Sequence, residues 1–337
     1  MHLCADRGTA IIGSGIAGLS CARKLIDAGH AVTVFDKGRY PGGRCASRAR
    51  LIAGRQWWFD HGAQPFTARN PRFRDAVLAS LQQGVLETGS GAVARGGEIP
   101  VARVRGEPRY GGLPRMHSWP ARLAAAMPVQ QGVEITAIEK RADLYVLRGA
   151  QGALPGLWSR VVLAMPAPQA TRLLSEVDTT LAARVAEATL APCWALLGVF
   201  PAGLAQESAV LRPTAPNPIS WARRQVAPPG AETEEAWVIH ASAEWSRAHL
   251  EESPATVQAL LLAAWAALLG EPALTCHHAE VHRWRYALVE RSLGEPCLWS
   301  PALQIGTCGD WHLGPRVEFA WTSGTTLAET ILATASE

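Results

Sequence analysis

Lysine is almost absent from this chain of 337 residues, and long apolar runs are missing. Its three lysines are Lys24, Lys37 and Lys140, so nearly all of the positive charge comes from arginine. A net charge of +3 is too small to indicate a nucleic-acid-binding surface. The longest apolar run, residues 259–269, is shorter than the roughly 20 residues of a membrane-spanning helix. We therefore expect no nucleic-acid partner and no membrane segment.

Cysteine is scarce and scattered. The chain has seven cysteines, an odd number, and no pair has the CxxC spacing of a zinc or redox site. Buried, reduced thiols are therefore favoured over disulfides or a bound metal. No secretory signal is visible, so the sequence predicts a cytoplasmic protein. With 48% hydrophobic residues, the chain is long enough for two domains.

A glycine-rich turn lies between two apolar segments near the start of the chain. Residues 9–12 predict a strand, residues 16–28 an amphipathic helix, and residues 31–36 a second strand that ends at Asp36. Together they predict a βαβ unit.

The turn of this unit contains Gly13, Gly15 and Gly18 in the pattern GxGxxG, and Asp36 follows 23 positions after Gly13. Glycines allow a tight turn and a close approach of the backbone to a pyrophosphate, while the helix N-terminus offers unpaired N–H groups. The acid can accept hydrogen bonds from ribose hydroxyls. The unit predicts dinucleotide binding without identifying the dinucleotide.

The rest of the chain predicts further helices and strands. We expect helices at 71–83, 114–126, 167–188 and 254–269, several strands between 132 and 166, further strands at 193–200, 208–212, 217–223, 236–242 and 279–287, and a long C-terminal helix from near Val317. The spacing of the strands after Pro166 is typical of an antiparallel sheet with its own helices, which favours a second domain.

Four segments resemble parts of the glutathione-reductase-like FAD proteins and the amine-oxidase superfamily. They are "PGGRCASR" after the second strand, "FDHGAQ" at 59–64, "VEITAIE" at 133–139 and "GTCGDWHLGPRVEFAWTSG" near the C-terminus. The resemblance implies an arginine near the cofactor, a segment beside the isoalloxazine, backbone contacts to adenine, and a Gly-Asp pair followed by a helix that points at the flavin. The simpler interpretation is a solvated loop for "PGGRCASR", a plain turn for "FDHGAQ" and a capped helix for the C-terminal segment.

The resemblance implies non-covalently bound FAD and a set of cofactor-binding residues. These are Gly13, Gly15, Ile16, Ala17, Gly18, Asp36, Lys37, Gly43, Arg44, His61, Gly62, Ala63, Val133, Gly309, Asp310, Val317 and Glu318. The fold class it implies is α/β, with a glutathione-reductase-like FAD-binding domain of Rossmann type and an inserted α+β substrate domain on a largely antiparallel sheet. The FAD-binding domain would take residues 1–68, 107–168 and 297–337, and the substrate domain residues 69–106 and 169–296.

Within the superfamily, three shorter segments resemble the renalase family: "GLPRM" at 112–116, "WVIHASAEWS" at 237–246 and "HRWRYA" at 282–287. Renalases are flavoprotein oxidases that take a hydride from the 2- and 6-dihydro isomers of NAD(P)H and pass the electrons to O2, giving hydrogen peroxide. The resemblance implies His240, Trp284 and Tyr286 as the catalytic, substrate-side residues, and no metal. A dihydronicotinamide dinucleotide and O2 would be the partners.

Strand alternation supports these three residues independently. It predicts that His240 shares a strand face with Val238 and Ser242, and that Trp284 shares one with His282 and Tyr286. Aromatic rings and an imidazole would suit a flat dihydropyridine. A satisfied core histidine and a packing tryptophan remain the simpler alternative.

Other functions stay open at this point. An amine or amino-acid oxidase of the same fold is the nearest, although such oxidases commonly use a lysine from the substrate half and this chain has none after Lys140. A non-catalytic FAD-binding redox sensor and an NAD-dependent dehydrogenase are further alternatives. The sequence does not predict the oligomeric state.

Overall fold

The computed structural model describes residues 7–89, 94–95, 107–204, 209–213 and 216–334. The helices are α1 (Ile16–Asp27), α2 (Pro71–Gln82), α3 (Ser118–Ala124), α4 (Ala167–Leu174), α5 (Thr179–Val185), α6 (Ala243–Ala248), α7 (Pro254–Leu269) and α8 (Val317–Thr334). The strands are β1 (Thr9–Ile12), β2 (Val32–Asp36), β3 (Arg48–Ile52), β4 (Arg55–Phe59), β5 (Leu86–Gly89), β6 (Ala94–Arg95), β7 (Arg109–Gly112), β8 (Val129–Gln131), β9 (Ala137–Arg141), β10 (Leu144–Gly149), β11 (Gly152–Ala153), β12 (Arg160–Leu163), β13 (Thr189–Pro201), β14 (Val210–Arg212), β15 (Ile219–Gln225), β16 (Glu234–Ala241), β17 (His278–Arg291), β18 (Leu298–Ser300) and β19 (Ile305–Thr307).

A six-stranded, mostly parallel sheet forms the first part of the fold. Its order is β18-β19-β12-β1-β2-β8, and β18 alone runs antiparallel to its neighbour. One face packs on α1 and α8, where Leu25 and Ile331 are fully buried. The other face packs on α4, α5 and the three-stranded sheet β11-β10-β9. This arrangement is a Rossmann-like layered α/β unit.

The second part is a six-stranded sheet of order β17-β13-β16-β15-β14-β6, with antiparallel pairing from β17 through β14 and a parallel contact between β14 and β6. Its outer face packs on α7 through Trp194, Trp237 and Trp265. Its inner face packs on the β3-β4 hairpin through Trp57 and Phe59. The predicted fold class is therefore confirmed, while the domain boundaries stay a prediction.

Several predicted elements differ at their ends, and each difference has a local cause. The helix expected at 114–126 begins only at Ser118, because the N–H groups of Met116 and His117 bond instead to Asp60 Oδ1 and Ser47 Oγ. The helix expected at 167–188 is two helices, because Asp178 caps a new start by accepting from the Leu181 N–H at 2.7 Å.

The strand expected from Val133 begins only at Ala137. Before it, the Val133 N–H bonds to the Asp36 carbonyl at 2.9 Å, at the end of β2. Helix α6 was not predicted. Ser242, expected on the strand face of His240, instead caps this helix through the Trp245 N–H. In the described ranges, no helix is long and apolar enough to span a membrane.

Candidate active site

The glycine turn between β1 and α1 has the geometry that a pyrophosphate site requires. Gly13 has a φ of +116°, in the region that favours glycine. A Cβ on Gly18 would lie 2.0 Å from the Gly13 carbonyl oxygen, so α1 can approach β1 only with glycine there. A Cβ on Gly15 would meet nothing within 4 Å. Its backbone, with Ile16 and Ala17 at the start of α1, therefore faces open space where a phosphate can approach the helix N-terminus.

Asp36 lies at the end of β2, next to this turn. Its Oδ2 accepts from the Ser14 N–H at 2.5 Å, and its Oδ1 accepts from the Gly38 N–H at 2.6 Å. The carboxylate therefore joins the glycine turn to the loop that follows β2. The bond from Val133 places that residue beside Asp36 as well. Lys37 points away and forms an exposed ion pair with Glu134, 3.6 Å between Nζ and Oε1.

Two segments far apart in the chain meet at Arg44 and Asp310. The Arg44 guanidinium donates to both carboxylate oxygens, at 2.9 and 2.6 Å, and to the Ala287 carbonyl at 2.9 Å. Burial opposes the charge on Arg44, but the Asp310 carboxylate holds the pKa of that guanidinium above its ordinary value. The pair joins the "PGGRC" loop to the turn after β19.

The "FDHGAQ" segment packs directly on the same loop. The Ala63 N–H bonds to the Arg44 carbonyl at 2.6 Å, and a Cβ on Gly62 would lie 2.1 Å from that oxygen. The Gly42 N–H bonds in turn to the Ser14 carbonyl at 2.8 Å, and a Cβ on Gly43 would lie 3.5 Å from the Gly15 Cα. The predicted cofactor motifs are therefore contiguous in space.

A cavity of about 580 Å³ extends from these loops to the antiparallel sheet. The predicted residues that line it are Gly15, Ile16, Ala17, Arg44, Gly62, Ala63, His240, Trp284, Gly309, Asp310 and Val317. Val317 is the first residue of α8, so the positive end of that helix dipole faces the cavity.

The opposite wall of the cavity crosses four neighbouring strands. Trp284 on β17 is paired with Cys193 on β13, and His240 on β16 is paired with Trp221 on β15. All four side chains line the cavity. The wall is therefore a row of aromatic, imidazole and thiol groups that faces the glycine turn.

The His61 carbonyl oxygen fixes the two predicted substrate-side residues. It accepts from His240 Nε2 at 3.1 Å and from Trp284 Nε1 at 3.0 Å. Because a carbonyl oxygen only accepts, His240 carries its proton on Nε2, and its Nδ1 is an acceptor. Burial lowers the pKa of His240, so the ring is neutral near pH 7.

The His61 ring itself lies behind this wall, 4% exposed, stacked on Trp284 with ring centroids 5.2 Å apart and edge-on to His282 at 4.8 Å. Burial lowers the pKa of His61 to about 3 and that of His282 to about 4. His61 therefore acts on the cavity through its backbone carbonyl and through packing.

Nine predicted residues are not among the described residues that line the cavity: Gly13, Gly18, Asp36, Lys37, Gly43, His61, Val133, Tyr286 and Glu318. Tyr286 is not among its described lining residues, because the pairing of β13 with β17 shifts between Ala191 and Cys193. That β-bulge breaks the strand alternation after Trp284 and brings Ala287 and Leu288 to the cavity instead.

Glu318 is 2% exposed and points toward the start of α2. Its Oε1 accepts from the Arg69 N–H at 3.2 Å and from the Asn70 N–H, while its Oε2 pairs with Arg316 at 3.0 Å. It anchors α8 and does not face the cavity.

The sequence reasoning missed several lining residues that are polar or aromatic. They are Cys45, Gln64, Phe66, Thr67, Arg109, Cys193, Arg212, Ser220, Trp221, Trp311 and Arg316. Cross-strand pairing of Trp221 with His240 is the signal that could have found the tryptophan, but the pairing of β15 with β16 is irregular between Ile219 and Trp221. In the described part of the chain, no group of three or more His, Cys, Asp or Glu residues could hold a metal ion.

Comparison with known proteins agrees with this architecture. The family model for an NAD(P)-binding Rossmann-like domain matches residues 11–81, which include the glycine turn and Asp36. A protein from Exiguobacterium sp. 255-15, provisionally named a protoporphyrinogen oxidase, has a TM-score of 0.75 at 13% identity, over 99% of this chain and 100% of that one.

Structures of putrescine oxidase match in the same way. The wild-type enzyme bound to putrescine has a TM-score of 0.68 at 14% identity, over 98% of this chain and 99% of that one. A double mutant from a redesign of its cofactor binding has a TM-score of 0.69 at 14% identity, over 97% of this chain and 99% of that one. At such identities the likeness concerns the fold. The chain therefore shares the fold of these oxidases, with a Rossmann-like α/β unit and a separate antiparallel sheet.

Proposed function

We propose that this chain is an FAD-dependent oxidase that converts the 2- or 6-dihydro isomers of NAD(P)H to NAD(P)+. FAD, when bound, supplies a ring that accepts a hydride and returns the electrons to O2. The donor loses two electrons and one proton as the hydride, and O2 gains the two electrons and two protons, one of them from solvent, to give hydrogen peroxide. The resemblance to the renalase family and the wall of the cavity both support this proposal.

The observation that carries the proposal is the chemistry of the cavity wall. Trp284, His240 and Trp221 offer flat surfaces, and the one imidazole among them is neutral. The chain has no lysine after Lys140. Oxidation of a dihydropyridine needs positioning more than acid-base catalysis, because the hydride leaves as an electron pair and an aromatic cation remains.

The roles of individual side chains follow from their bonds. The His61 carbonyl holds the rings of His240 and Trp284 in fixed orientations. The acceptor Nδ1 of His240 can receive a hydrogen bond from a carboxamide N–H2 group. His240 is therefore a positioning group for the substrate, and Trp284 is a surface against which the nicotinamide ring packs.

The residues around the glycine turn fit FAD, and the thiols fit non-covalent binding. Gly15 leaves the backbone open to a pyrophosphate, Gly43 packs against Gly15, and Arg44 and Asp310 line the same cavity. Burial raises the pKa of Cys45 and of Cys193 to about 12, so neither lining thiol is nucleophilic near pH 7. Acid precipitation of the yellow protein should leave all of the FAD in the supernatant.

Anaerobic mixing of the flavin-loaded protein with a panel of donors tests the function. The panel contains β-NADH, its 2- and 6-dihydro isomers, putrescine and amino acids, and bleaching of the flavin absorbance is the readout. We expect fast bleaching by a 2- or 6-dihydro isomer and slow or no bleaching by β-NADH, because a pocket that brings C2 or C6 within about 3 to 3.5 Å of the hydride acceptor holds C4 away.

Fast bleaching by an amine or amino acid without a response to the isomers would assign the chain to the alternative amine or amino-acid oxidase. Bleaching without steady peroxide release in air would favour the second alternative, a non-catalytic redox sensor. A protein that purifies without flavin and turns over with NAD would be a dehydrogenase.

Substitution of the wall residues tests the positioning roles. Trp284→Ala should slow flavin reduction several-fold or more, and His240→Ala should weaken substrate binding, both with FAD retained. Since His240 is neutral and acts by orientation, His240→Gln should restore part of the binding, and the reduction rate should not follow the titration of a single base. A steep pH profile that disappears in His240→Ala would contradict this role.

A further inference from the structure

The turn "FDHGAQ" directs three successive carbonyl groups to two different partners. The Gln64 side-chain amide donates from Nε2 to the Asp60 carbonyl at 2.8 Å and to the Gly62 carbonyl at 3.3 Å. The carbonyl between them, that of His61, accepts instead from two ring N–H groups of the cavity wall. Gln64 therefore holds both flanking carbonyls and leaves the His61 oxygen directed to the wall.

The side chain of Asp60 anchors the start of this turn. It is 14% exposed, and its Oδ1 accepts from the Ser47 hydroxyl and from the Met116 N–H, the latter at 3.2 Å. Its Oδ2 lies 4.0 Å from the Arg223 guanidinium, and the Asp60 N–H donates to Gln225 Oε1 at 3.0 Å. Asp60 thus ties the turn to three other segments, and it is not among the described residues that line the cavity.

The direction of the His61 carbonyl determines which nitrogen of His240 carries the proton. While the oxygen faces His240 Nε2, the proton stays on Nε2, and Nδ1 can accept a hydrogen bond from a ligand. If the peptide group turned away, Nε2 would lose its acceptor and the proton could move to Nδ1, which would then donate. Trp284 Nε1 would lose the same acceptor. The turn therefore sets whether the wall offers an acceptor or a donor at His240.

We propose that Asp60 and Gln64 are positioning residues that act through the His61 carbonyl and keep His240 as a hydrogen-bond acceptor. Gln64 fixes the peptide groups on both sides of His61, and Asp60 fixes the turn to its neighbouring segments. The resulting acceptor selects ligands that present an N–H group, such as a primary carboxamide, over ligands that only accept. That the carboxamide belongs to a nicotinamide rests on the proposed function, whereas the state of the imidazole does not.

The ring nitrogens of His240 give a test that needs no substrate. The flavin-loaded protein is labelled with 15N-histidine, its ring signals are recorded by NMR at pH 7.5, and the His240 signals are assigned by their disappearance in His240→Gln. Gln64→Met removes both donated bonds at similar side-chain size. Gln304→Met is the matched control, because Gln304 donates to the Pro301 carbonyl at 2.8 Å and accepts from Arg160 at 3.1 Å. Gln304 is not among the described lining residues of the cavity.

Asp60→Ala and Asp60→Asn form a second pair of variants. Alanine removes the acceptor of the Ser47 and Met116 bonds, whereas asparagine keeps an acceptor oxygen there. We expect the wild type, Gln304→Met and Asp60→Asn to show one protonated and one unprotonated ring nitrogen, with the proton on Nε2. In Gln64→Met and Asp60→Ala, the two nitrogen shifts should move toward each other, because the proton exchanges between Nε2 and Nδ1.

Ligand selectivity is the second measurement. Nicotinamide carries an N–H2 group and 3-acetylpyridine, which has nearly the same shape, does not, so the ratio of their Kd values reports the acceptor. We expect Gln64→Met and Asp60→Ala to reduce the preference for nicotinamide about tenfold, with flavin content and circular dichroism unchanged, and Asp60→Asn to restore it.

Ring signals like those of the wild type in both Gln64→Met and Asp60→Ala would overturn the proposal, and so would an equal change in Gln304→Met. If Asp60→Ala does not fold, the ring signals of Gln64→Met decide the outcome. A loss in Asp60→Asn as large as that in Asp60→Ala would contradict the role of the Asp60 acceptor oxygen.

This outcome is separable from that of the proposed function. If no dihydro isomer bleaches the flavin but the His240 signals change in Gln64→Met, the proposed function fails and the positioning role stands. If the isomers bleach the flavin and the His240 signals stay as in the wild type, the positioning role fails alone.

Discussion

The glycine-turn side and the antiparallel-sheet side of the cavity present different kinds of chemical group to a ligand. On the glycine-turn side, the approach surface is backbone: the open face at Gly15 and the start of α1. On the sheet side, the surface is a row of side chains from four strands, Trp284, Cys193, His240 and Trp221.

The difference lies in how each side tolerates change. A backbone site depends on the absence of side chains, so a single methyl group in the wrong place alters it. A side-chain wall depends on register, so a bulge such as the one after Trp284 replaces one lining residue with another and leaves the sheet intact. We therefore expect substitutions on the glycine-turn side to affect folding and cofactor retention, and substitutions on the wall to affect substrate choice.

The largest effect should come from Gly18→Ala. The added methyl carbon would lie 2.0 Å from the Gly13 carbonyl oxygen, and only a shift of α1 away from β1 could relieve that contact. We expect a loss of more than about 3 kcal/mol in the free energy of unfolding, beyond the usual cost of overpacking, together with loss of flavin. Urea unfolding and the flavin-to-protein absorbance ratio are the measurements.

Gly15→Ala is the matched control. Its Cβ meets nothing within 4 Å, and Gly15 has a φ of −74°, which alanine adopts readily. Its free energy of unfolding without FAD should change by less than about 0.5 kcal/mol, whereas its FAD affinity should fall because the methyl group occupies the approach to the phosphate. Equal stability of the two variants would contradict the distinction between packing glycines and open ones.

Breaking the Arg44–Asp310 pair should have the next largest effect. Arg44→Gln leaves the nearly buried Asp310 carboxylate without its partner, which costs about 3 kcal/mol, and Asp310→Asn leaves the Arg44 guanidinium, 28% exposed, without its partner, which costs less. The double variant should lose less free energy of unfolding than the two single variants lose together. Arg141→Gln, which breaks an exposed pair with Glu139, should cost under about 0.5 kcal/mol and is the control. Additive losses at Arg44 and Asp310 would contradict the pairing.

Much of the glycine-turn side could be predicted because its signals are local. The first strand, the glycine turn, the helix and the acidic end of the second strand all lie within residues 9–36. The C-terminal helix likewise begins at Val317, as expected. The two ends of the Arg44–Asp310 pair were each singled out by motif. Their contact could not be read from the sequence, since 266 positions separate them.

The antiparallel-sheet side was less predictable because pairing between strands that are distant in the sequence determines which residues line it. Alternation along β16 and β17 correctly grouped Val238 with His240 and His282 with Trp284, but it failed at Tyr286, where a bulge interrupts the period of two. Arg109 and Arg212 were missed, since solitary arginines in a chain this rich in arginine carry no local signal. The fold brings both to the cavity, where the Arg109 guanidinium carbon lies 5.9 Å from the Trp221 ring centroid.

Asp36→Ala should weaken FAD retention while the fold persists. The carboxylate holds the N–H groups of Ser14 and Gly38 and lies where a ribose hydroxyl would be bound. Loss of a hydrogen bond to a charged acceptor costs about 1.5 to 3 kcal/mol, or roughly one to two decades in affinity. Ser14→Ala, which removes the 2.8 Å hydroxyl bond to Asp36 and a 3.5 Å bond from Gln131 but keeps the backbone bond, is the milder control. Flavin content after extensive dialysis is the measurement, and retention equal to the wild type would remove Asp36 from the site.

The smallest predicted effect concerns acid stability and compares one buried imidazole on each side of the cavity. Burial lowers the pKa of His61, behind the wall, and of His312, beside Asp310, from 6.5 to about 3. Between these values the unfolded chain binds a proton that the folded protein does not, so stability is lost as the pH falls below 6.5. At pH 5 this amounts to about 2 kcal/mol for each ring.

His61→Gln and His312→Gln should each reduce the loss of unfolding free energy between pH 7.5 and pH 5 by that amount. Urea unfolding at the two pH values measures it, and His30, which is partly exposed, is substituted in the same way as the control. On the wall side, His61→Gln keeps the backbone carbonyl that binds His240 and Trp284, so binding of nicotinamide should persist. A pH dependence identical to that of the wild type would show that the His61 ring binds its proton equally in the folded and unfolded protein, which would contradict the lowered pKa assigned to this buried ring.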